Sequence, residues 1–439
     1  MGIVVAGGGP AGLFTAIALA RRGRRVLVVD RDPGPGADGR WRRRGVMQFA
    51  HAHTFRGPVV EALATEVPEA LQAMLGAGAT VATAPDGAPA ALRVRRAVFE
   101  RELRAAAARQ PRLALRTGHV DAVRLRRGRV TGVAVGSAEV SADLVVDASG
   151  RTGRALRDLR GPGEIAPCGA AYVSRLYRLR TGAPPGPLNS PVGLSLGLPG
   201  YFAVMFLHDA GTFSITLTHG GTDARLHGLR HTAVYEAAVR AIPLLSDWID
   251  PDRAQPLGPV LPGGRLANRY RGHLDHTGRP IVGGLLAVGD SLCTTTPLAG
   301  RGVTLGFAQA QALVSAVTRH RDGEPATVEY DDWCRREVRP WFLDHVHCDA
   351  DRLRRWAGGD VDLSRPLPSD LVVAAAQADP ALQPAVCAYD RMAALPASLD
   401  AVQDRARAVY ADGWRPPVAA GPSSEELGQL CRRAEFLEV

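Results

Sequence analysis

Lysine is absent from the sequence, and all 53 basic residues are arginines. Cysteine is scarce: six are widely spaced, and no two form a Cys-x-x-Cys pair. This spacing argues against a zinc site or a disulfide framework and fits a reducing compartment. No run of 18 or more apolar residues is present, and the apolar start lacks the basic segment and cleavage site of a signal peptide. We therefore expect a cytoplasmic protein that does not span a membrane.

The arginine excess gives a formal net charge of +9. The arginines are scattered rather than arranged in a stripe with interleaved aromatics, so we expect no nucleic-acid partner. A modest attraction for anionic cofactors or acidic substrates remains compatible with the charge. The pair His51 and His53 has the His-x-His spacing of metal ligands, but no third ligand lies nearby in the sequence. We expect no metal site.

The first thirty residues predict a nucleotide-binding unit. An apolar strand over residues 3–6 is followed by a glycine turn, a helix over 13–22 and a second strand over 26–29. Gly7 permits the tight turn, Gly9 lets the backbone approach a pyrophosphate, and Gly12 lets the helix pack on the strand. The pyrophosphate binds at the helix N-terminus, and Asp30 is placed to accept a hydrogen bond from a ribose hydroxyl. This unit alone does not distinguish NAD from FAD.

The rest of the chain predicts an α/β protein with an inserted sheet. The nucleotide-binding domain, of Rossmann type, is predicted to cover residues 1–160 and to return over 266–325. Alternating segments within 161–265 indicate an antiparallel substrate domain. Residues 326–439 are predicted to be largely helical. Helices are also expected over 58–75 and 305–319, and strands over 140–146 and 281–288.

Two further motifs follow in order. Asp147-Ala-Ser-Gly150 ends a buried strand, at the sheet edge where α/β proteins bind ligands. Gly289-Asp290 precedes Pro297, Gly300 and Gly302. Together with the glycine turn and a helix that begins near Arg96, these motifs resemble the flavin-dependent monooxygenases of the para-hydroxybenzoate hydroxylase type. Residues 45–53 and 172–178 resemble a bacterial branch that includes polyether epoxidases, which implies a role in secondary metabolism.

The resemblance implies FAD as cofactor, with NADPH or NADH as electron donor. Asp30 would bind the adenosine ribose, Arg96 the flavin and pyrophosphate region, and Asp290 the ribityl chain. Pro297 would lie against the isoalloxazine, with the Gly300–Gly302 backbone facing its N1 and O2 side. The predicted cofactor-binding residues are Gly7, Gly9, Pro10, Ala11, Gly12, Asp30, Arg31, Arg44, Arg96, Val120, Asp147, Gly150, Asp290, Pro297, Gly300, Arg301, Gly302 and Val303; Arg42 and Arg43 are expected near the phosphates.

The sequence departs from the family pattern at Cys293, Arg301, Val303 and Thr304, where the family has His, Gln, Met and Asn. These departures leave open the recognition of NAD(P)H and the delivery of electrons by a separate flavin reductase. The oligomeric state is expected to be a monomer or homodimer.

The resemblance implies insertion of one oxygen atom from O2, through a C4a-hydroperoxyflavin, into an apolar or aromatic small molecule. Hydroxylation and epoxidation both stay open. The candidates for a base are His51, His53, His208 and His219, and the candidates for an apolar lining are Tyr172, Tyr177, Tyr201, Phe202 and Phe206. Three alternatives are a flavin reductase of isoprenoid alkenes, a non-catalytic flavin-binding protein and a flavin-dependent halogenase, whose Trp-x-Trp-x-Ile-Pro motif is missing.

Overall fold

A computed structural model describes residues 2–43, 45–320 and 323–435. Its central layer is a five-stranded sheet in which every neighbouring pair is parallel. The strands are apolar and mostly buried, as expected for a parallel sheet that is covered on both faces. In spatial order they are Leu285–Ala287, Leu144–Asp147, Gly2–Ala6, Arg25–Asp30 and Leu113–Thr117.

A six-stranded antiparallel sheet forms the second layer, and all its strands come from residues 170–263. Along its main path the order is Gly193–Leu198, Tyr201–Leu207, Thr212–Gly220, Ala170–Leu179 and Ala254–Pro256; Leu261–Gly263 also pairs with Ala170–Leu179. Three small sheets complete the strands. They consist of Glu164–Pro167, Ala267–Tyr270 and Cys293–Thr294; of Phe55–Arg56, Pro89–Arg93 and Thr80–Thr83; and of Ala122–Arg126, Arg129–Val135 and Ala138–Ser141.

Helices cover the parallel sheet and form the C-terminal region. The long helix Gly302–Arg319 packs against the first helix, Pro10–Arg21, under the nucleotide-binding edge. The α-helices are Pro10–Arg21, Gly57–Glu66, Pro68–Gly76, Arg96–Arg109, Arg154–Arg157, Thr232–Arg240, Pro243–Ser246, Gly302–Arg319, Gly323–Glu337, Arg339–Trp356, Ser369–Ala375, Gln383–Asp390, Gln403–Ala411 and Ser424–Glu435. None of the described helices is long and apolar enough to cross a bilayer.

The predicted fold class, a parallel nucleotide-binding sheet with an antiparallel sheet and a helical C-terminal region, is confirmed. Some predicted elements were wrong in extent. The helix expected over 58–75 is interrupted at Val67, because Pro68 starts a new helix. The strand expected over 281–288 shrinks to Leu285–Ala287, since Gly284 adopts a left-handed φ of 79°. Residues 140–146 are divided between two strands of different sheets.

Candidate functional site

The glycine turn after the first strand is shaped by two close contacts and one open position. A Cβ on Gly7 would lie 2.2 Å from the Ala148 carbonyl oxygen, and Gly7 has a φ of 116°. A Cβ on Gly12 would lie 2.1 Å from the Gly7 carbonyl oxygen. The nearest atom to a Cβ on Gly9 is an Arg43 nitrogen at 4.0 Å. Gly7 and Gly12 therefore allow the turn to pack, whereas Gly9 keeps space free in front of the helix.

Asp30 lies in a buried charge cluster at the end of the second strand. One of its carboxylate oxygens accepts hydrogen bonds from the Gly8 amide at 2.5 Å and from Arg43 Nη2 at 2.6 Å. Arg43 Nη1 also donates to the fully buried Glu100 at 2.5 Å. Burial disfavours the charge of Arg43, but the carboxylates of Glu100 and Asp30 outweigh it and raise the pKa of the guanidinium. Arg43 is thus a fixed cation beside the carboxylate of Asp30.

Arg96 joins the same cluster from its helix. Its Nε donates to Glu100 at 2.5 Å, and its Nη1 lies 3.0 Å from His53 Nε2. Because an arginine only donates, His53 Nε2 accepts this bond, and Nδ1 carries the proton toward the His51 carbonyl at 2.9 Å. Burial, with the charge of Arg96 next, lowers the pKa of His53 well below its usual value. His53 is therefore a neutral hydrogen-bond acceptor that helps to position Arg96, and it is not available as a base.

Asp147 connects two turns instead of facing open space. It is fully buried, accepts hydrogen bonds from Ser149 Oγ at 2.5 Å and Ser291 Oγ at 3.0 Å, and forms an ion pair with Arg160 at 3.2 Å. Ser291 Oγ in turn accepts from the Gly150 amide at 2.9 Å. The structure thus places Asp147 behind the site, where it sets the relative position of the Asp147–Gly150 and Gly289–Ser291 turns.

Asp290 is the carboxylate that this second turn presents. Asp290 lines the groove that runs between the glycine turn and the antiparallel sheet, and its side chain has no hydrogen-bond partner among the described residues. Burial raises its pKa, against the opposing charges of Arg151 and Arg96. Two residues before the long helix starts at Gly302, Gly300 takes a left-handed φ of 62°. The loop from Thr294 to Gly302, called the 294–302 loop below, therefore brings a helix N-terminus toward the same space.

Arg301 points away from the space that its neighbours line. Its guanidinium lies between the rings of Trp341 and Tyr389, 4.7 and 4.4 Å from their centroids, and pairs with Asp344 at 3.3 Å. Planar guanidinium groups stack on aromatic faces in this way. The prediction of Arg301 as a cofactor residue therefore applies at most to its backbone, because its side chain belongs to the C-terminal helices.

The open space has two connected parts. A nucleotide cleft of about 930 Å³ lies beside Gly7, Gly9 and Asp30, and a smaller sheet cavity of about 200 Å³ lies between the antiparallel sheet, the 294–302 loop and residues 9–12 of the glycine turn. Residues that line both parts are Gly9, Gln48, Arg96, Ala148, Gly150, Arg151 and Asp290. The two parts are thus one elongated groove with polar and apolar ends.

Most of the predicted cofactor residues line this groove. The exceptions are Asp147 and the side chain of Arg301, and Arg44 lies outside the described residues. The predicted residues that line it are Gly7, Gly9, Pro10, Ala11, Gly12, Asp30, Arg31, Arg96, Val120, Gly150, Asp290, Pro297, Gly300, Gly302 and Val303. Sequence reasoning missed Gln48, Ala148 and Arg151 as lining residues; Arg151 directly follows a predicted turn, which was the available signal.

Only some of the aromatic and histidine residues that the sequence predicted for the substrate site line the sheet cavity. Tyr172, Phe202 and Phe206 line it. Tyr177 and Tyr201 lie on the opposite face of the sheet, in its core, because neighbouring residues of a strand alternate between faces. His51 and His53 line the cavity, whereas neither His208 nor His219 does.

Comparisons with known proteins agree with this geometry. Residues 2–153 match the family described as FAD dependent oxidoreductase. Sixty residues are 38% identical to D-amino acid dehydrogenase 2 of Ralstonia nicotianae, a match that spans only 14% of this chain and 14% of that protein.

Solved structures resemble the whole fold. The flavin-dependent brominase Bmp2 matches with a TM-score of 0.61 and 14% identity over 100% of this chain and 99% of that chain. PqsL, a probable FAD-dependent monooxygenase from Pseudomonas aeruginosa, matches with a TM-score of 0.61 and 14% identity over 82% and 98%. CmlS, a flavin-dependent halogenase, matches with a TM-score of 0.61 and 18% identity over 100% and 77%. At these identities the likeness establishes the fold.

The residues present fit FAD. Gly9 leaves the space that a pyrophosphate needs, Asp30 and Asp290 both line the nucleotide cleft, and Gly302, at the N-terminus of the long helix, lines the sheet cavity. No group of three or more possible metal ligands occurs in the described part of the chain. Residues 2–153, which include the glycine turn and Asp30, thus match the FAD dependent oxidoreductase family, and the groove beside them has the residues to hold that cofactor.

Proposed function

We propose that the protein is a FAD-dependent monooxygenase that inserts one oxygen atom from O2 into an uncharged apolar or aromatic small molecule. The observation that carries this proposal is the sheet cavity. It opens directly onto the 294–302 loop and continues into the nucleotide cleft, so a substrate on the sheet would contact the reactive end of the cofactor. NADPH or NADH would supply the electrons, directly or through a separate flavin reductase.

The chain's own groups suit this chemistry. Bound FAD would supply the reduction of O2 and the transfer of one oxygen atom. The N-terminus of the helix Gly302–Arg319 would favour negative charge on the reduced ring, because its free amides carry the positive end of the helix dipole. The antiparallel sheet covers the cavity, which helps to exclude water from a reactive oxygen species.

The two histidines that line the cavity, His51 and His53, are weak bases at neutral pH. Burial lowers the pKa of His51 to about 4, so this residue is uncharged at neutral pH and accepts a proton weakly. His53 is committed to Arg96 by its hydrogen bond. Oxygen transfer to an alkene or to an arene that is already electron-rich needs no strong base, and these reactions fit the cavity best. Hydroxylation and epoxidation are both included in the proposal.

Two other flavin reactions fit the chain less well. An amino acid substrate would need a cation for its carboxylate, yet every arginine that lines the sheet cavity also lines the nucleotide cleft. The Trp-x-Trp-x-Ile-Pro motif expected of a flavin-dependent halogenase is missing from this sequence. Both observations favour direct oxygen transfer.

The test is a single turnover of the FAD-loaded protein with isotopic oxygen. The protein is reduced without oxygen by NADPH, by NADH, or by NADH with an added flavin reductase, and is then mixed with ¹⁸O2 and a probe set of 2-naphthol and indene. We expect ¹⁸O in a hydroxylated or epoxidised probe. A probe that is saturated without oxygen would instead identify a reductase. Complete conversion of O2 to hydrogen peroxide, with both probes unchanged, would contradict the proposal.

A further inference from the structure

The sheet wall of the cavity changes from apolar to polar across neighbouring strands. Phe202, Val204 and Phe206 project into the cavity from the strand Tyr201–Leu207. On the adjacent strand, Thr218 is paired with Phe202 and Thr216 with Val204. Since adjacent strands lie roughly 5 Å apart, the change from ring to hydroxyl takes place within the width of one small molecule.

The polar side continues on the third strand and on the loop above it. Thr218 is paired with Tyr172, whose hydroxyl accepts a hydrogen bond from Gln48 Nε2 at 3.3 Å. The ring of His51 stands edge-on to Tyr172, with centroids 5.1 Å apart. His51 Nδ1 lies 2.6 Å from Ser174 Oγ, which fixes the ring and leaves its Nε2 without a hydrogen-bond partner among the described residues.

This end of the cavity has no charge of its own. The charged residues in its lining are Arg96, Arg151 and Asp290, and all three are shared with the nucleotide cleft. The histidines in the lining are neutral at pH 7, because burial lowers the pKa of both His51 and His53. An ionised substrate at the Phe202, Thr216 and Thr218 wall would lose its water, and the only side-chain charges in the described lining are those that also face the nucleotide cleft, so its binding is disfavoured.

We propose that the substrate is an uncharged, flat, apolar molecule with a hydroxyl or carbonyl group on one edge only. That edge contacts Thr216, Thr218 and His51, and the opposite edge lies against Phe202 and Phe206. The inference rests on the proposed function only for the assignment of the sheet cavity to the substrate. It adds the orientation of the molecule and the residues that select it.

Three probes of one shape test the inference. 2-Naphthol, 2-methylnaphthalene and 2-naphthoate are titrated separately into the FAD-loaded protein, and affinity is measured by calorimetry and by the change in the flavin absorption spectrum. We expect 2-naphthol to bind about tenfold tighter than 2-methylnaphthalene, since one satisfied hydrogen bond is worth roughly that factor. The carboxylate should bind more weakly than either uncharged probe.

The sheet contains a matched control for His51. His208 is also buried, its Nε2 lies 2.7 Å from Ser214 Oγ, and burial lowers its pKa to about 4, but it does not line the cavity. His51→Phe removes the hydrogen bond to Ser174, and His208→Phe removes the hydrogen bond to Ser214, so both variants leave one buried serine hydroxyl without its histidine partner. The single variants His51→Phe and Thr216→Val should each reduce the preference for 2-naphthol over 2-methylnaphthalene to less than about threefold. The control variant His208→Phe should keep the preference of the unmodified protein.

Each outcome is decisive for the inference. A preference for 2-naphthol that survives in His51→Phe and Thr216→Val, or that is lost equally in His208→Phe, would overturn it. Tightest binding by 2-naphthoate would overturn it too, as would the failure of all three probes to bind up to their solubility limits. Selective binding of 2-naphthol without any oxygenated product would leave this inference standing and remove the proposed monooxygenase function.

Discussion

Gly9 and Gly12 belong to one turn but have opposite surroundings. Gly9 has an extended backbone, with φ of −80° and ψ of −179°, that any residue adopts, and it faces open space. Gly12 is in contact with the Gly7 carbonyl oxygen. The three glycines of the motif therefore differ in their surroundings: Gly7 and Gly12 allow the turn to pack, and Gly9 leaves space in front of the helix.

Substitution of Gly9 by alanine should separate binding from folding. We expect Gly9→Ala to leave the Tm of the FAD-free protein unchanged and to weaken FAD binding about tenfold or more, because the added methyl group occupies the approach of the pyrophosphate. Gly12→Ala is the control, and it should destabilise the FAD-free protein by about 1–3 kcal/mol through the backbone clash. FAD titration and thermal unfolding measure the two effects. An unchanged FAD affinity in Gly9→Ala would place the pyrophosphate elsewhere.

The positions of these residues in the fold were predictable because the motif is local. Each of Gly7, Gly9, Gly12 and Asp30 acts within one strand-turn-helix-strand unit, so their spacing alone predicts their positions. Arg43 was predicted only as a cation near the phosphates. Its fixed position between Asp30 and Glu100 depends on a helix that begins more than fifty residues later, and no sequence pattern reports that distance.

At the scale of elements, three sets of contacts connect the 294–302 loop to the C-terminal helices, two of them through an intermediate residue. The Thr296 amide donates to Asn268 Oδ1 at 2.6 Å, and Asn268 donates to Asp349 on the helix Arg339–Trp356 at 2.8 Å. The Ala299 carbonyl accepts from Arg56 Nη2 at 2.8 Å. Arg56 also pairs with Asp390 at 3.2 Å, at the end of the helix Gln383–Asp390.

The third set is formed by Arg301, which lies between Trp341 and Tyr389 with Asp344 as its counter-ion. Tyr389 also donates to Asp344 at 2.8 Å, which fixes the carboxylate. The sequence predicted the loop but not this contact, because its partners come from two separate helices whose packing only the fold determines. The arginine at this position therefore ties the loop to the C-terminal region.

Arg301→Gln should disturb the bound flavin as well as the stability of the protein. It leaves Asp344 without its cation, and removal of one partner from a buried pair typically costs about 3–5 kcal/mol. We expect a lower Tm, a weaker FAD affinity and an altered visible absorption spectrum of the bound flavin. Arg301→Lys should recover part of the stability through its charge, but not the stacking of a planar guanidinium.

A second stacked arginine provides the control for this effect. Arg175 pairs with Glu236 at 2.5 Å and lies 5.8 Å from the Tyr177 ring centroid, on the side of the sheet away from the cofactor groove. Arg175→Gln should lower the Tm with no change in the flavin spectrum. If Arg301→Gln and Arg175→Gln behave alike in the spectrum, the C-terminal helices do not position the loop.

At the scale of the whole molecule, the lining of the nucleotide cleft carries more positive than negative side chains. Five arginines and two carboxylates line the nucleotide cleft among the described residues: Arg31, Arg42, Arg43, Arg96, Arg151, Asp30 and Asp290. The net charge of +9 over the chain has the same sign. A cleft of one dominant sign focuses the field and accelerates the arrival of an oppositely charged ligand.

Association of FAD with the FAD-free protein should therefore slow down as salt is added. The Debye length falls from about 30 Å at 0.01 M salt to about 8 Å at 0.15 M, so the field beyond the cleft mouth is screened. We expect the association rate constant for FAD, followed by quenching of its fluorescence in a stopped-flow instrument, to fall several-fold over this range. Riboflavin, which has the same ring but no phosphate, is the control and should show little dependence on salt. An equal salt dependence for FAD and riboflavin would mean that the arginines of the cleft hold the bound cofactor without steering it, because only a charged ligand responds to the field at a distance.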